Sequence, residues 1–305
     1  MKRLNFALLF LFAFSQRLDA QQTADVSYLP SISHPAYPSG DGSVVFIDEG
    51  HHNFHTKEGR YASFTKLLER DGYQVKAFKT LFEKETLASG KILVISNALN
   101  EVNVGSWILP NPSAFTVDEI VTLKKWVEEG GSLFLIADHM PLAGAAADLA
   151  SAFGFEFTNG FVMFNGGSIP SLFSLDTGTL LPSVITKGRE STEQINEVAT
   201  FTGQAFQIPK EATSVLQFGN DHINLLPDTA WRFNDNTKKQ SVEGWSQLAY
   251  MKLAKGRLVV SGEAAMFSAQ LAGSEKRKMG MNSPLATQNY QLLLNIMHWL
   301  DGLID

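Results

Sequence analysis

No cysteine occurs anywhere in the 305-residue chain. Disulfides, thiolate metal sites, a lipid-anchored N-terminal cysteine and every mechanism with a Cys nucleophile are therefore excluded. Charge is sparse as well. Charged residues make up 18% of the chain and the formal net charge is −6, which leaves no electrostatic reason to expect a nucleic-acid partner. No segment reaches the ~18 consecutive apolar residues of a membrane-spanning helix, so membrane insertion is not expected. Several motifs are also missing: the Gly-x-x-x-x-Gly-Lys-Ser/Thr phosphate loop, Gly-x-Gly-x-x-Gly after the first strand, the Gly-x-Ser-x-Gly elbow and the His-Glu-x-x-His helix.

What is present is a chain with 44% hydrophobic residues, long enough to bury a large core. Met1-Lys2-Arg3 supplies a positive start, Leu4 to Ser15 an apolar run, and Gln16 to Ala20 a polar stretch ending on a small residue. Residues 1–20 thus read as a secretory signal peptide, which predicts export and a periplasmic location, with secretion the alternative. Residues 21–42, with Pro30, Pro35 and Pro38, read as an extended or loosely packed tether.

From residue 43 the pattern becomes regular. Ser43–Asp48, Lys91–Ser96, Ser132–Ala137 and Arg257–Glu263 are apolar runs of strand length, and Gln74–Phe78 is a shorter strand. Helices are expected where Tyr61, Phe64, Leu67 and Leu68 form one stripe, after the capping box Thr116-Val-Asp-Glu119, over Ala143–Phe153, from Ala264 to Leu271, and from about Thr287 to Leu300. Alternating apolar strands and helices predict an α/β fold: a doubly wound, mostly parallel sheet with helices on both faces. Residues 43–305 are read as a single domain, interrupted at about 158–244 by an irregular antiparallel insertion.

In such sheets ligands bind beyond the carboxyl ends of the strands. Those ends carry Asp48, His51, His52, Asn53 and His55 after the first strand, Asn97 and Asn100 after the third, Asp138-His139 after the fourth, and Glu263 at the last. Four of the seven histidines thus share one rim. Two functional readings fit: a divalent metal held by His51, His55 and Asp48 or Asp138, and acid–base catalysis by imidazole. The plainer alternatives are helix capping by Asp138 and Glu263, and histidines facing different ways. Arg60 stands near enough in sequence to neutralise an anion. His298 reads as a core histidine, and His222 as part of the insertion.

Phe46-Ile-Asp-Glu-Gly-His-His-Asn-Phe-His-Thr56, Gly59-Arg60-Tyr61, Asp71-Gly72-Tyr73, Leu135-Ile-Ala-Asp-His139 and Ser261-Gly-Glu-Ala-Ala-Met-Phe-Ser-Ala-Gln270 together resemble proteins of the class I glutamine amidotransferase-like fold, in a branch of undefined biochemistry. The resemblance covers roughly residues 43–157 and 244–300 and implies a flavodoxin- or amidotransferase-like sheet. Amidotransferases carry a Cys where Ala137-Asp138-His139 stands, so glutamine hydrolysis by a thiolate is excluded. Exported members of this kind are similar to proteins found with polysaccharide-degradation systems of marine Bacteroidetes, including ulvan dehydratase. That likeness implies an acidic oligosaccharide as partner and a dehydratase or lyase acting on its terminal uronic acid. Such a reaction needs a base (His52 or His139, oriented by Asp138), an acid (Glu263), and groups for the carboxylate and sugar (Arg60, Asn53 or a metal, with Asn97 and Asn100). His51 and His55 would bind metal or substrate. A metal-dependent hydrolase and a non-catalytic sugar-binding or scaffold module are the alternatives.

Overall fold

Five parallel strands form the spine of the structure, in the spatial order Gln74–Phe78, Val44–Asp48, Ile92–Ser96, Ser132–Ile136 and Gly256–Ser261. The computed structural model describes residues 22–305 apart from Gly166 and Ser168; the expected signal peptide lies outside the described residues. Successive strand residues face opposite sides of the sheet, and both sides are buried. Val45, Ile47, Val94, Phe134 and Val259 pack on one face with helices Ala62–Arg70 and Asn289–Asp301. Phe46, Leu93, Leu133, Leu135 and Val260 pack on the other with Val117–Glu128 and Leu142–Ala152. The two-sided burial accounts for the unbroken apolar strands. The Thr116 capping box forms as its sequence predicts, with Glu119 answering at the third helical position.

The sheet is less parallel than expected. Beyond Gly256–Ser261 it continues antiparallel through Ser246–Leu253, which pairs with Thr213–Gln217 and with Phe206–Gln207, the latter in turn with Glu156–Phe157. Four of its nine strands are therefore antiparallel. Two of these come from the stretch read as an insertion, so that stretch completes the sheet as well as carrying separate hairpins. Phe161–Phe164, His222–Leu226 and Lys238–Ser241 make a three-stranded sheet, and Ser171–Ser174 pairs with Glu197–Thr200.

Two further expectations are corrected. The stretch read as a tether is docked: Gln22–Ala24 adds an antiparallel strand to Ala269–Ala272, and Asp25 is buried, accepting from Asn282 Nδ2 at 2.9 Å. Its prolines bar helix, but Ala36 still donates its N–H to Asp71 at 2.8 Å. After Glu263 there is no long helix but a single 3-10 turn, Ala265–Phe267, followed by the strand Ala269–Ala272. Partners supplied by the N-terminal strand outweigh local helical pattern there.

Candidate functional site

The first parallel strand lies between the second and third, so strand order reverses there: the connection that leaves the first strand runs to one side of the sheet and that leaving the third runs to the other. At that switch point opens a cleft of about 600 Å³. Its walls include Phe54, His55 and Arg60 after the first strand, Asn97 after the third, Asp138-His139 after the fourth and Glu263 after the fifth.

The turn after Val44–Asp48 divides its histidines. Asp48 is fully buried and accepts from His51 Nδ1 at 2.9 Å, Asn53 Nδ2 at 2.9 Å and the Gly50 N–H at 3.1 Å. His51 Nε2 meets Glu119 Oε1 at 3.0 Å, while its ring packs on Phe82 and Phe115. Carboxylates only accept, so both ring nitrogens carry protons and His51 is an imidazolium. Burial opposes that charge, but the hydrogen bonds and negative charge of Asp48 and then Glu119 outweigh it and raise the pKa. His52, at φ 48°, is turned out to solvent.

Asp48, His51, His52 and Asn53 are therefore not walls of the cleft, and neither is Asn100, which caps the 3-10 turn Glu101–Asn103. The proposed metal set does not assemble, because His51 and Asp48 are bound to each other and His55 faces elsewhere. Among the described residues no group of three or more His, Asp or Glu is placed to hold a metal ion. The role of base offered to His52 likewise fails on position.

Four residues past His51, His55 has the opposite environment. It is 3% exposed, beside the Arg60 cation and against the Tyr61 ring at 4.6 Å. Burial, followed by the charge of Arg60, depresses its pKa to about 3, so the ring is neutral. Its tautomer follows from a relay. The Asp138 N–H donates to Asn97 Oδ1 at 2.8 Å, which orients the Asn97 amide, and Asn97 Nδ2 therefore donates to His55 Nδ1 at 3.2 Å. His55 must carry its proton on Nε2, and that buried N–H has no partner among the described residues.

His139 is the mirror case. Its Nδ1 donates to the Met140 carbonyl at 2.8 Å, which leaves the lone pair of the neutral ring on Nε2. The ring stacks on Phe161 with centroids 4.3 Å apart, and the rings of Trp107 and Trp231 stand at 6.1 Å and 4.7 Å. Trp231 adopts φ 64°, a strained backbone for a bulky residue, to reach that position. Asp138 Oδ1 accepts the His139 N–H at 2.8 Å, so it steadies the backbone of its neighbour more than the ring, whose Nε2 is 4.0 Å away.

Glu263 is 1% exposed and accepts from the Ala265 and Met266 N–H groups at 2.8 Å and 2.7 Å, so it caps the turn and lines the cleft at once. Burial and then the charge of Asp138 push its pKa well above its ordinary value, which favours the protonated acid. Gly203, at φ 97°, passes so close that a Cβ would lie 2.2 Å from the Gly262 carbonyl oxygen and 3.0 Å from Glu263 Cβ. Arg60 holds its guanidinium carbon 3.7 Å over the Phe54 ring, with Nε unpartnered. Gln270, also in the wall, leaves its buried Oε1 unpartnered. An unmet buried polar atom costs about 1–3 kcal/mol, and three of them around one cleft describe a cavity shaped for a polar occupant.

The sequence reading missed Phe54, Trp231 and Gln270 as cleft walls, and Gln22, brought there by the docked N-terminal strand. Strained backbone at Trp231 has no one-residue signature, and Gln22 reaches the cleft through long-range pairing.

No protein-family model matches the chain, and no curated protein sequence matches it. Solved structures do. The mmIFT52 N-terminal domain is similar at a TM-score of 0.59 and 17% identity over 84% of this chain and 97% of that one. A ThuA-like protein from Bacteroides uniformis is similar at 0.47 and 10% identity, with 89% and 94% covered, and another from Parabacteroides merdae at 0.45 and 10%, with 85% and 90% covered. At these identities the likeness is one of fold: a mixed α/β chain built on one large mixed sheet.

Proposed function

We propose that this chain, exported through its N-terminal leader, is an acid–base enzyme of amidotransferase-like fold that eliminates water from the terminal uronic acid of an acidic oligosaccharide. The observation that carries the reading is the pairing of opposite tautomers over one cleft: a lone pair on His139 Nε2 and a proton on His55 Nε2. The Arg60 guanidinium would bind the carboxylate, and the faces of Trp107 and Trp231 suit the apolar side of a sugar ring. His139 Nε2 would take the proton from C5, alpha to the carboxylate. The C5–H electron pair then forms the C4–C5 double bond, and the C4–O bond breaks. Glu263, protonated, would give its proton to the departing hydroxyl, which leaves as water. The His55 N–H would hydrogen-bond to the carboxylate as its charge spreads in the transition state. The metal-dependent hydrolase has no ligand set among the described residues to rest on.

Uronate-ended oligosaccharides incubated with the protein should develop the ultraviolet absorbance of a conjugated C4–C5 unsaturated uronate. His139→Gln should slow its appearance by about 10²–10⁴-fold in a folded protein. No absorbance across a panel of uronate ends would overturn the reading. Saturable binding without turnover, unchanged in His139→Gln, would instead identify a sugar-binding module.

A further inference from the structure

A second cavity, of about 270 Å³, opens in the region between residues 164 and 222, separate from the cleft. It is just below the usual small-molecule range of about 300–1,000 Å³, which suits a single ring. Its lining includes Phe164 and Phe173, Thr177 and Thr179, and His222 with Asp221 beside it.

His222 is the informative residue. Its side chain is 6% exposed and enclosed by the rings of Phe164, Phe173 and Phe218, with centroids 5.3, 6.0 and 5.0 Å away. Nδ1 lies 2.7 Å from Asp221 Oδ1, and a carboxylate only accepts, so Nδ1 carries a proton. In the neutral ring the lone pair therefore stands on Nε2, which is buried and has no partner among the described residues. His298, in the packed core, likewise donates one ring nitrogen to a carboxylate, Nε2 to Asp71 at 2.7 Å, and finds no donor among the described residues for the other; His222 differs in lining a cavity. Here the Phe cage offers none, and the cavity is the space from which a donor could come.

Charge limits what that donor is. No Lys or Arg lines the cavity, and the half-exposed Asp221 carboxylate stands in its wall. An anion would meet repulsion with no compensating cation. We infer that this cavity is a second binding site, for a neutral ring ligand that packs between Phe164 and Phe173 and donates a hydroxyl to His222 Nε2. Its preference is thus opposite to that of the cleft, where Arg60 favours an acid. The inference does not depend on what the cleft catalyses. A pyranose and a phenol both have this chemistry, and the test separates them.

The full-length protein, labelled with ¹⁵N at histidine, is titrated separately with methyl glucopyranoside, phenol and glucuronate while the ring nitrogens are followed by NMR. Either neutral probe should move the His222 Nε2 resonance saturably, leaving His51 and His298 in place, and glucuronate should bind there at least about tenfold more weakly. The neutral probe that binds identifies the source. His222→Phe, which keeps the cage aromatic, should weaken that probe by about fivefold or more, as loss of one hydrogen bond requires. The Thr177→Val variant provides an independent check, because its hydroxyl lies in a surface turn and its loss should weaken the same probe without unfolding the chain. The proposal is overturned if neither neutral probe moves His222, if only His139 responds, if glucuronate binds equally well, or if His222→Phe and Thr177→Val both bind like the parent.

Discussion

His51 and His55 belong to one turn, four residues apart, and the fold treats them as opposites. His51 lies between two buried carboxylates, has both nitrogens bonded and is a cation. His55 lies beside a cation, has one nitrogen bonded and is neutral. Burial is nearly the same for both, 5% and 3% exposed. What separates them is the sign of the neighbouring charge and whether a polar atom is left without a partner. A histidine whose bonds are all satisfied holds the turn together, whereas one with a spare proton in a cleft is available to a ligand. His139 shows the complementary case, a spare lone pair in the same cleft.

The largest expected effect tests the cleft side. His139→Gln should lower turnover of a uronate-ended oligosaccharide by about 10²–10⁴-fold, the usual worth of a general base, with little change in thermal unfolding. An equal loss of rate from His52→Ala, which changes an exposed side chain, would break the distinction between the histidines.

Next is the structural side. His51→Leu should destabilise the chain by about 3–5 kcal/mol in urea unfolding, because it leaves Asp48 and Glu119 buried without their cation. A loss under about 1 kcal/mol would mean that the pairing is not structural. Gly203→Ala should be milder, at about 1–3 kcal/mol from its positive φ, and should also lower activity as Glu263 is pushed aside. Full activity in that variant would separate Glu263 from the chemistry.

A last test sharpens the comparison through pH. His51 has a folded pKa above its ordinary 6.5, so its stabilising contribution is complete below 6.5 and is lost as pH rises through the folded value. His55 has a folded pKa of about 3 against the same ordinary value of 6.5, so the unfolded chain binds its proton first. Stability is then lost as pH falls from 6.5 toward 3, by at most about 1.4 kcal/mol per pH unit from this group. Glu119, with its pKa lowered, adds a loss on the same acid side as pH falls through its folded value. Histidine NMR should show His51 doubly protonated at neutral pH and His55 still neutral at mildly acidic pH. Two rings titrating together would sink the contrast.

Much of this arrangement is legible before any coordinates. Apolar runs of strand length mark the parallel strands, because burial on both faces leaves no polar position along them. The rule that ligands lie beyond the strand ends picks out Asn97, Asp138, His139 and Glu263, all of which line the cleft, together with His55 and Arg60. It picks out Asp48, His51, His52, Asn53 and Asn100 equally, and these do not line it. Their difference is one of direction. Glu119 illustrates the limit: the sequence marks it as half of a capping box, and one of its oxygens does bond Thr116, but the other reaches His51 across 68 positions.

The amino-acid sequence alone determined that no thiol chemistry is possible, that strands alternate with helices, and which polar groups end the strands. These are properties of composition and local period, which a chain has before it folds. Only the tertiary structure decided which histidine is a cation, which nitrogen holds each proton, that residues 22–42 are docked, and that the pKa of Glu263 is raised. Tautomer and charge state depend on partners tens to hundreds of positions away, and a carboxyl pKa depends on the water that folding removes.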